Sequence, residues 1–308
     1  MNIASRLPVR PHLALAVSAT FFLLSACGGG GGGAAAGGSA DGIAITGASN
    51  DSPMYSKRLT LTVNGANVDK LVVTATGCKD VALSTSGTYV SSASTAFFQC
   101  TVSAVGPAQF ALKRPSDAVT STVSFNVPMP QVTMFFSNNA GINSSLVVTL
   151  APDKTPITVD NFLKYVNAGF YNSTRIHVVT SSFIQGGAYG EKISGDATFA
   201  TIPGIKPLND GSIALEVNKG LSNLQWTIGM AESNQSLKAP SQFYFNLVSN
   251  PSFDARLAVF GYVTTGTNTV AAIANPTLAP CVAITLFSNQ GECTPIPNVV
   301  LTSATQTQ

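Results

Sequence analysis

The polar chemistry of this chain is concentrated in three short runs. His177 stands in Ile176-His177-Val178, Gln185 in Phe183-Ile184-Gln185-Gly186-Gly187, and Gln242 in Ser241-Gln242-Phe243-Tyr244-Phe245-Asn246. An imidazole, two amides and several aromatic rings can exchange hydrogen bonds and wall an apolar pocket. The paired glycines leave room for a peptide backbone to come close. No GxSxG elbow, nucleotide loop, paired catalytic carboxylates or metal-spaced cluster accompanies them. There is no CxxC, and His12, the only other histidine, lies near the N-terminus. A zinc set is therefore not expected, nor is a cofactor.

The segment ahead of Gln185 positions the first two runs. Thr155 suits a helix cap, Pro156 the first helical position and Asp160 the first turn. Val159, Phe162, Leu163 and Val166 fall three and four apart and make one apolar stripe, and Gly169 ends the helix. A β-branched run over 176–180 then reads as a strand. Residues 188–209 are poor in apolar residues and read as a loop.

At 308 residues the chain has room for about two domains of ~100–200 residues. Charged residues make up only 10 %, and Gly, Ser, Thr, Asn and Val are abundant, so strands and turns should dominate. Arg6 and Arg10, an apolar core over 13–24 and the closing Leu24-Ser25-Ala26-Cys27 form a leader that resembles a bacterial lipobox. The expectation is a signal peptide over 1–26, acylation of Cys27, and a Gly/Ala-rich tether over 27–40. The protein would then be exported and lipid-anchored, facing the periplasm from the outer membrane. Without the two leader arginines, basic and acidic residues balance at 14 each. No basic patch argues for nucleic acid. The export route permits disulfides, and the expected pairs are Cys78 with Cys100 and Cys281 with Cys293, each within its own domain.

Residues 41–130 read as an antiparallel β-sandwich module, immunoglobulin-like in architecture. Short apolar runs recur at 43–46, 59–63, 71–76, 97–102, 109–113 and 120–127, with Asn64-Gly65 and Ser86-Gly87 as turn formers. No tryptophan marks its core. Val127-Pro128-Met129-Pro130 is a stiff junction, and 132–136 with 146–150 then read as a hairpin.

Beyond the junction, ordered pieces accumulate: Pro156 with Phe162, then Gly169-Phe170-Tyr171, the run to Gly187, Gly220-Leu221-Ser222-Asn223, Thr227-Ile228-Gly229-Met230-Ala231, the run from Ser241, and Ala258-Val259-Phe260-Gly261-Tyr262-Val263. In this order and spacing, residues 131–303 resemble the cyclophilins, the peptidyl-prolyl cis-trans isomerases. The resemblance implies a mainly β chain whose second part is a closed eight-stranded antiparallel barrel with two helices, the second after Gly266, where Thr269, Val270, Ile273 and Ala274 form a short stripe. The Cys281–Cys293 loop would be an addition.

The resemblance also implies the reaction. Amide resonance sets a barrier of ~18–20 kcal/mol to prolyl rotation. An enzyme can lower it by seating the proline ring in an apolar pocket and aiming a donor at the lone pair that twisting localises on the prolyl nitrogen. In cyclophilins that donor is the Arg of an FHR motif. Here the motif reads Ile176-His177-Val178, and one residue fewer separates His177 from Gln185. Anchored on the histidine, Val178 stands in place of the Arg. Anchored on Gln185, His177 does, and Phe183 falls where the family has Met. The apolar pair Val178-Val179 favours the second reading slightly. Arg175, an odd step from Val178 along a strand, should face the other side. The implied substrate-binding set is Phe183, Gln185, Met230, Ala231, Gln242, Phe243, Tyr244, Phe253 and Leu257. Tyr244 replaces a Phe, so its hydroxyl needs a partner; Phe253 replaces Leu, Leu257 a His or Tyr, and Ser252 a Trp or Phe. Trp226 replaces a Gly. The implied partners are proline-containing polypeptide segments, with the membrane reached through Cys27.

Overall fold

Alternating apolar and polar residues set seven short strands in the first half of the chain. The computed structural model describes residues 41–116, 120–190, 213–231, 241–283 and 293–308. The leader with Cys27, the tether, most of the 188–209 loop and the interior of the Cys281–Cys293 loop lie outside these residues. The strands are β1 (Ala44–Asn50), β2 (Arg58–Ala66), β3 (Val72–Thr76), β4 (Cys78–Leu83), β5 (Thr95–Val102), β6 (Gly106–Lys113) and β7 (Thr120–Val127). They form a sheet of order β1-β2-β5-β4 and a sheet of order β3-β6-β7. Leu59, Leu61, Val63, Phe98, Val102, Phe110 and Leu112 are buried between them. The sandwich is as expected, with β4 the strand that the apolar runs did not reveal. Asn64-Gly65 is not a turn: it lies inside β2, where a Cβ on Gly65 would meet the Ala44 carbonyl oxygen at 1.8 Å. The glycine is there for the close approach of β1. The Cys78–Cys100 disulfide joins the neighbouring strands β4 and β5.

After the prolines come the hairpin strands β8 (Gln131–Ser137) and β9 (Asn143–Leu150), and then helix α1 (Pro156–Asn167). The stripe of Val159, Phe162, Leu163 and Val166 is fully buried, and Gly169, at φ 65°, turns the chain out of the helix. The N-terminus of α1 departs from expectation. Thr155 makes no cap; its hydroxyl donates to the Ala151 carbonyl, and Asp160 lies beyond the first turn. Glu216, from far along the chain, takes the role: its carboxylate accepts from Ile157 N, Thr158 N and Thr158 Oγ1 at 3.2, 2.7 and 2.8 Å.

The remaining elements are β10 (Thr174–Val179), β11 (Phe183–Gly190), β12 (Thr227–Met230), β13 (Phe243–Asn246), β14 (Val259–Thr265), α2 (Thr267–Ile273), β15 (Cys281–Ala283), β16 (Cys293–Pro295) and β17 (Val300–Gln306). Strand β11 takes in residues 188–190, which read as loop in the sequence. Eight strands in the order β11-β13-β12-β14-β9-β8-β17-β10 close into an antiparallel barrel through the β10–β11 pairing, and β17 carries it three residues past 303. The disulfide-linked hairpin β15–β16 adds to the edge of β10. Thr269, Val270 and Ile273 of α2 are buried against the barrel. Side chains fill the interior, as small barrels require: Phe162 lies 5.0 Å from Phe260, 5.2 Å from Tyr171 and 6.1 Å from Phe243, centroid to centroid.

Sandwich and barrel meet at α1 and β17. Gln306 Nε2 donates to the Tyr55 carbonyl at 2.9 Å, and Lys57 Nζ to Asn167 Oδ1 at 2.6 Å. Burial, and then a hydrogen bond to Asp160, push the Tyr55 phenol well above its ordinary pKa.

Candidate functional site

Strand register sorts the sequence-derived residues onto two faces. Gln185 pairs with Tyr244, and Tyr244 with Gly229; one step along, Gly186 pairs with Phe243, and Phe243 with Met230. Directly paired residues share a face. Phe183, Gln185, Gln242 and Tyr244 therefore lie together on the outer face of the barrel. Phe243 points inward: it is fully buried among Phe162, Tyr171 and Phe245. Met230 joins the same core. These two are corrections to the implied substrate-binding set. Both come from the two-residue period of the strand, which turns alternate members of Gln242-Phe243-Tyr244 inward. Ala231 lies next to Gln242 through its backbone, donating to the Gln242 carbonyl at 2.9 Å.

Three rings make the apolar part of the outer face. Phe183 lies 6.1 Å from Tyr244 and 6.1 Å from Phe253, and Tyr244 lies 6.3 Å from Phe253, all edge to face. Phe253 is brought in by a single 3-10 turn, Pro251–Phe253, with Leu257 half-buried at its far end and donating to the Phe253 carbonyl. The Tyr244 hydroxyl, buried with the rest of its side chain, donates to Asn223 Oδ1. That oxygen also accepts from Asn246 Nδ2 at 3.1 Å, while Asn223 N and Nδ2 both donate to Asp254 Oδ1, at 2.7 and 2.8 Å. Ser222 Oγ donates to Asp254 Oδ2. Burial works to raise the Asp254 pKa; the donors on Ser222 and Asn223 outweigh it and hold the carboxyl below its usual range. Sequence reasoning noted Gly220-Leu221-Ser222-Asn223 but gave it no role. The signal was the extra hydroxyl of Tyr244, which had to end on a partner.

The polar part lies beside the rings. Gln242 Oε1 accepts from Gln185 Nε2 at 2.7 Å and faces His177 Nε2 at 3.2 Å. His177 is 1 % exposed, and its ring stands edge-on to Tyr189 at 4.7 Å. Burial first, and the Arg175 charge second, push its pKa down to about 3, so the imidazole is neutral at physiological pH. The strand is irregular here: Ile176 pairs with Gly186 and Val178 with Gln185, so His177 is the extra residue of a β-bulge. The bulge resets the alternation. Val178 stands opposite Gln185, and Arg175 does not face away from the site as simple parity required. Arg175 is fully buried, with its guanidinium carbon 5.8 Å from the Tyr189 ring centroid, so it shares that ring with His177. Tyr189 carried no signal in the sequence. Among the described residues no group of His, Cys, Asp and Glu is placed to hold a metal ion.

A β-barrel of this topology with two amides beside an aromatic triad defines a class, and the comparisons place the chain in it. The family model for cyclophilin type peptidyl-prolyl cis-trans isomerase/CLD matches residues 135–305. Peptidyl-prolyl cis-trans isomerase A of Dickeya dadantii is 33 % identical over 158 residues, 50 % of this chain and 77 % of that protein. A peptidyl-prolyl cis-trans isomerase of Acinetobacter baylyi is 35 % identical over 42 % of this chain and 67 % of that protein, and peptidyl-prolyl cis-trans isomerase cyp18 of Streptomyces antibioticus 34 % over 42 % and 76 %. A crystal structure of a Cryptosporidium parvum cyclophilin type isomerase, in the presence of the dipeptide Ala-Pro, aligns with a TM-score of 0.42 at 17 % identity, covering 58 % of this chain and 99 % of that one. The chain belongs to the cyclophilin-type peptidyl-prolyl cis-trans isomerase family.

Proposed function

We propose that this protein is a lipid-anchored, exported prolyl isomerase that assists the folding of exported proteins and turns over more slowly than family members with an intact FHR motif. The observation that carries this reading is the pairing of Gln185 with Gln242 beside the Phe183–Tyr244–Phe253 triad on one outer face. Rings of this kind suit a proline side chain, and the amides suit the backbone that flanks it. The leader through Cys27 supports the anchor. Slower turnover follows from the electrostatics. Val178, opposite Gln185, is apolar, and His177 is neutral and enclosed. Loss of one well-placed transition-state donor costs ~10²–10³ in rate.

A proline-limited refolding reaction tests the proposal. The protein should accelerate it, by less than an FHR-bearing relative does. Val178→Arg should raise kcat/KM, whereas His177→Arg should not, because it removes the imidazole from Gln242 and adds a second cation beside Arg175. Activity equal to that of an FHR-bearing relative would refute the slower turnover. The neutral, buried His177 also favours a second reading, a scaffold that grips proline-containing segments without turnover. Peptide binding with no acceleration selects it. Incorporation of labelled fatty acid, lost in Cys27→Ser, tests the anchor.

A further inference from the structure

The polar cluster has a polarity that its composition does not require. A glutamine amide has an acceptor end and a donor end, and which end faces the groove depends on what holds the other. Here Gln242 Oε1 is occupied on the protein side, by Gln185 Nε2 at 2.7 Å and by His177 Nε2 at 3.2 Å. The Gln242 Nε2 group makes no hydrogen bond among the described residues and is not among the polar atoms sealed from solvent. The same holds for Gln185 Oε1. The outer face thus presents a donor pair and an acceptor side by side, the pattern that complements one C=O and one N–H of an extended backbone.

We propose that Gln242 Nε2 is the hydrogen-bond donor this site offers to the prolyl segment, and that His177 is a positioning residue that locks the Gln242 amide in that orientation. The inference rests on the isomerase reading for its catalytic part. An oxygen can only accept, so His177 must carry its proton on Nε2 for the lock to hold. Burial of His177 and the nearby Arg175 charge keep the imidazole neutral, with a single N–H, and of its two ring nitrogens Nε2 is the one that faces an acceptor, whereas Nδ1 is buried without a hydrogen-bond partner. The β-bulge brings the imidazole to Gln242 while Val178 takes the place opposite Gln185. During rotation the Gln242 N–H stabilises the lone pair that forms on the prolyl nitrogen, and Gln185 Oε1 accepts a flanking backbone N–H. A neutral amide is a weaker donor than a guanidinium, in keeping with slow turnover.

Gln242→Glu in the full chain tests this. A carboxylate keeps the shape and still accepts from Gln185 and His177, but offers no donor. The expected result is a fall of about tenfold to a hundredfold in kcat/KM at neutral pH, and recovery of rate as the pH is lowered and the introduced carboxyl takes a proton. Unchanged activity, or loss without recovery in acid, overturns the proposal. A second measurement needs no variant at this site: ¹⁵N NMR of the imidazole, with His12→Gln removing the other signal. Protonation on Nε2 supports the lock; protonation on Nδ1 overturns it. If the wild-type chain shows no isomerase activity, the isomerase reading fails separately, and the tautomer still decides whether His177 orients Gln242.

Discussion

Gly229 and Tyr244 face each other across β12 and β13, and a Cβ at position 229 would lie 2.2 Å from the Tyr244 hydroxyl oxygen and 2.3 Å from its Cζ. The ring lies flat over the glycine and cannot lift away, because its hydroxyl is tied to Asn223, which is tied in turn to Asp254. The triad wall depends on this contact.

Gly229→Ala should therefore destabilise the protein by about 1–3 kcal/mol, the usual cost of overpacking a well-filled site. It should also weaken proline-peptide binding. Urea denaturation and peptide titration measure the two effects. Tyr244→Phe in the Gly229→Ala background should restore little, since Cζ remains in the way. Full recovery would show that the hydroxyl alone causes the clash.

The buried His177 makes stability depend on acid. Its pKa falls from an ordinary value near 6.5 in the unfolded chain to about 3 in the folded one. Between these values the unfolded chain binds the extra proton, so stability is complete above about pH 6.5 and declines as the pH falls towards 3. Thermal unfolding between pH 7 and pH 4 should show a falling Tm in the wild type and a flatter dependence in His177→Gln. Parallel curves would mean that the imidazole is not held neutral.

Arg175 can be tested through the same ring. Its charge is the second cause of the low His177 pKa, so Arg175→Met should raise that pKa, in an NMR titration, without returning it to the ordinary value, because burial persists. A pKa unchanged by Arg175→Met would place the guanidinium too far from the imidazole to matter.

Glu216 caps helix α1 from outside the helix. Glu216→Ala leaves two backbone N–H groups and the Thr158 hydroxyl without their acceptor and should cost about 1–2 kcal/mol. Glu216→Gln, which keeps one oxygen acceptor, should cost less. Equal losses in chemical denaturation would point to the charge and not to the geometry of the cap.

Much of the fold was open to sequence reasoning because it rests on local period and order. The stripe Val159, Phe162, Leu163 and Val166 is buried as its spacing requires, and the ordered motifs from Pro156 to Val263 carried the barrel. The strand β4 escaped because Lys79 and Asp80 break its apolar pattern and leave only the short run Val81-Ala82-Leu83, and Asn64-Gly65 misled because a glycine needed for close strand approach has the same letters as a turn. Trp226 shows the same limit. Its φ of 67° is a backbone that suits the Gly it replaces, and only coordinates reveal that the tryptophan adopts it.

The residues of the candidate site were legible as types: Gln185, Gln242, Phe183, Tyr244, Phe253 and His177 could all be listed from the chain. Their sidedness was not. Strand parity places Phe243 and Met230 in the core, and a single extra residue at His177 turns Arg175 towards Tyr189 and sets Val178 against Gln185. A bulge is a property of the pairing between two strands, so one strand's sequence does not contain it. The same holds for the capping of α1 by Glu216 and for the Tyr244–Asn223–Asp254 chain, which join positions distant in sequence. The sequence by itself determined the family, the barrel and the residue types at the site; the tertiary structure decided which atoms face one another, because hydrogen-bond polarity and strand register arise only when the strands meet.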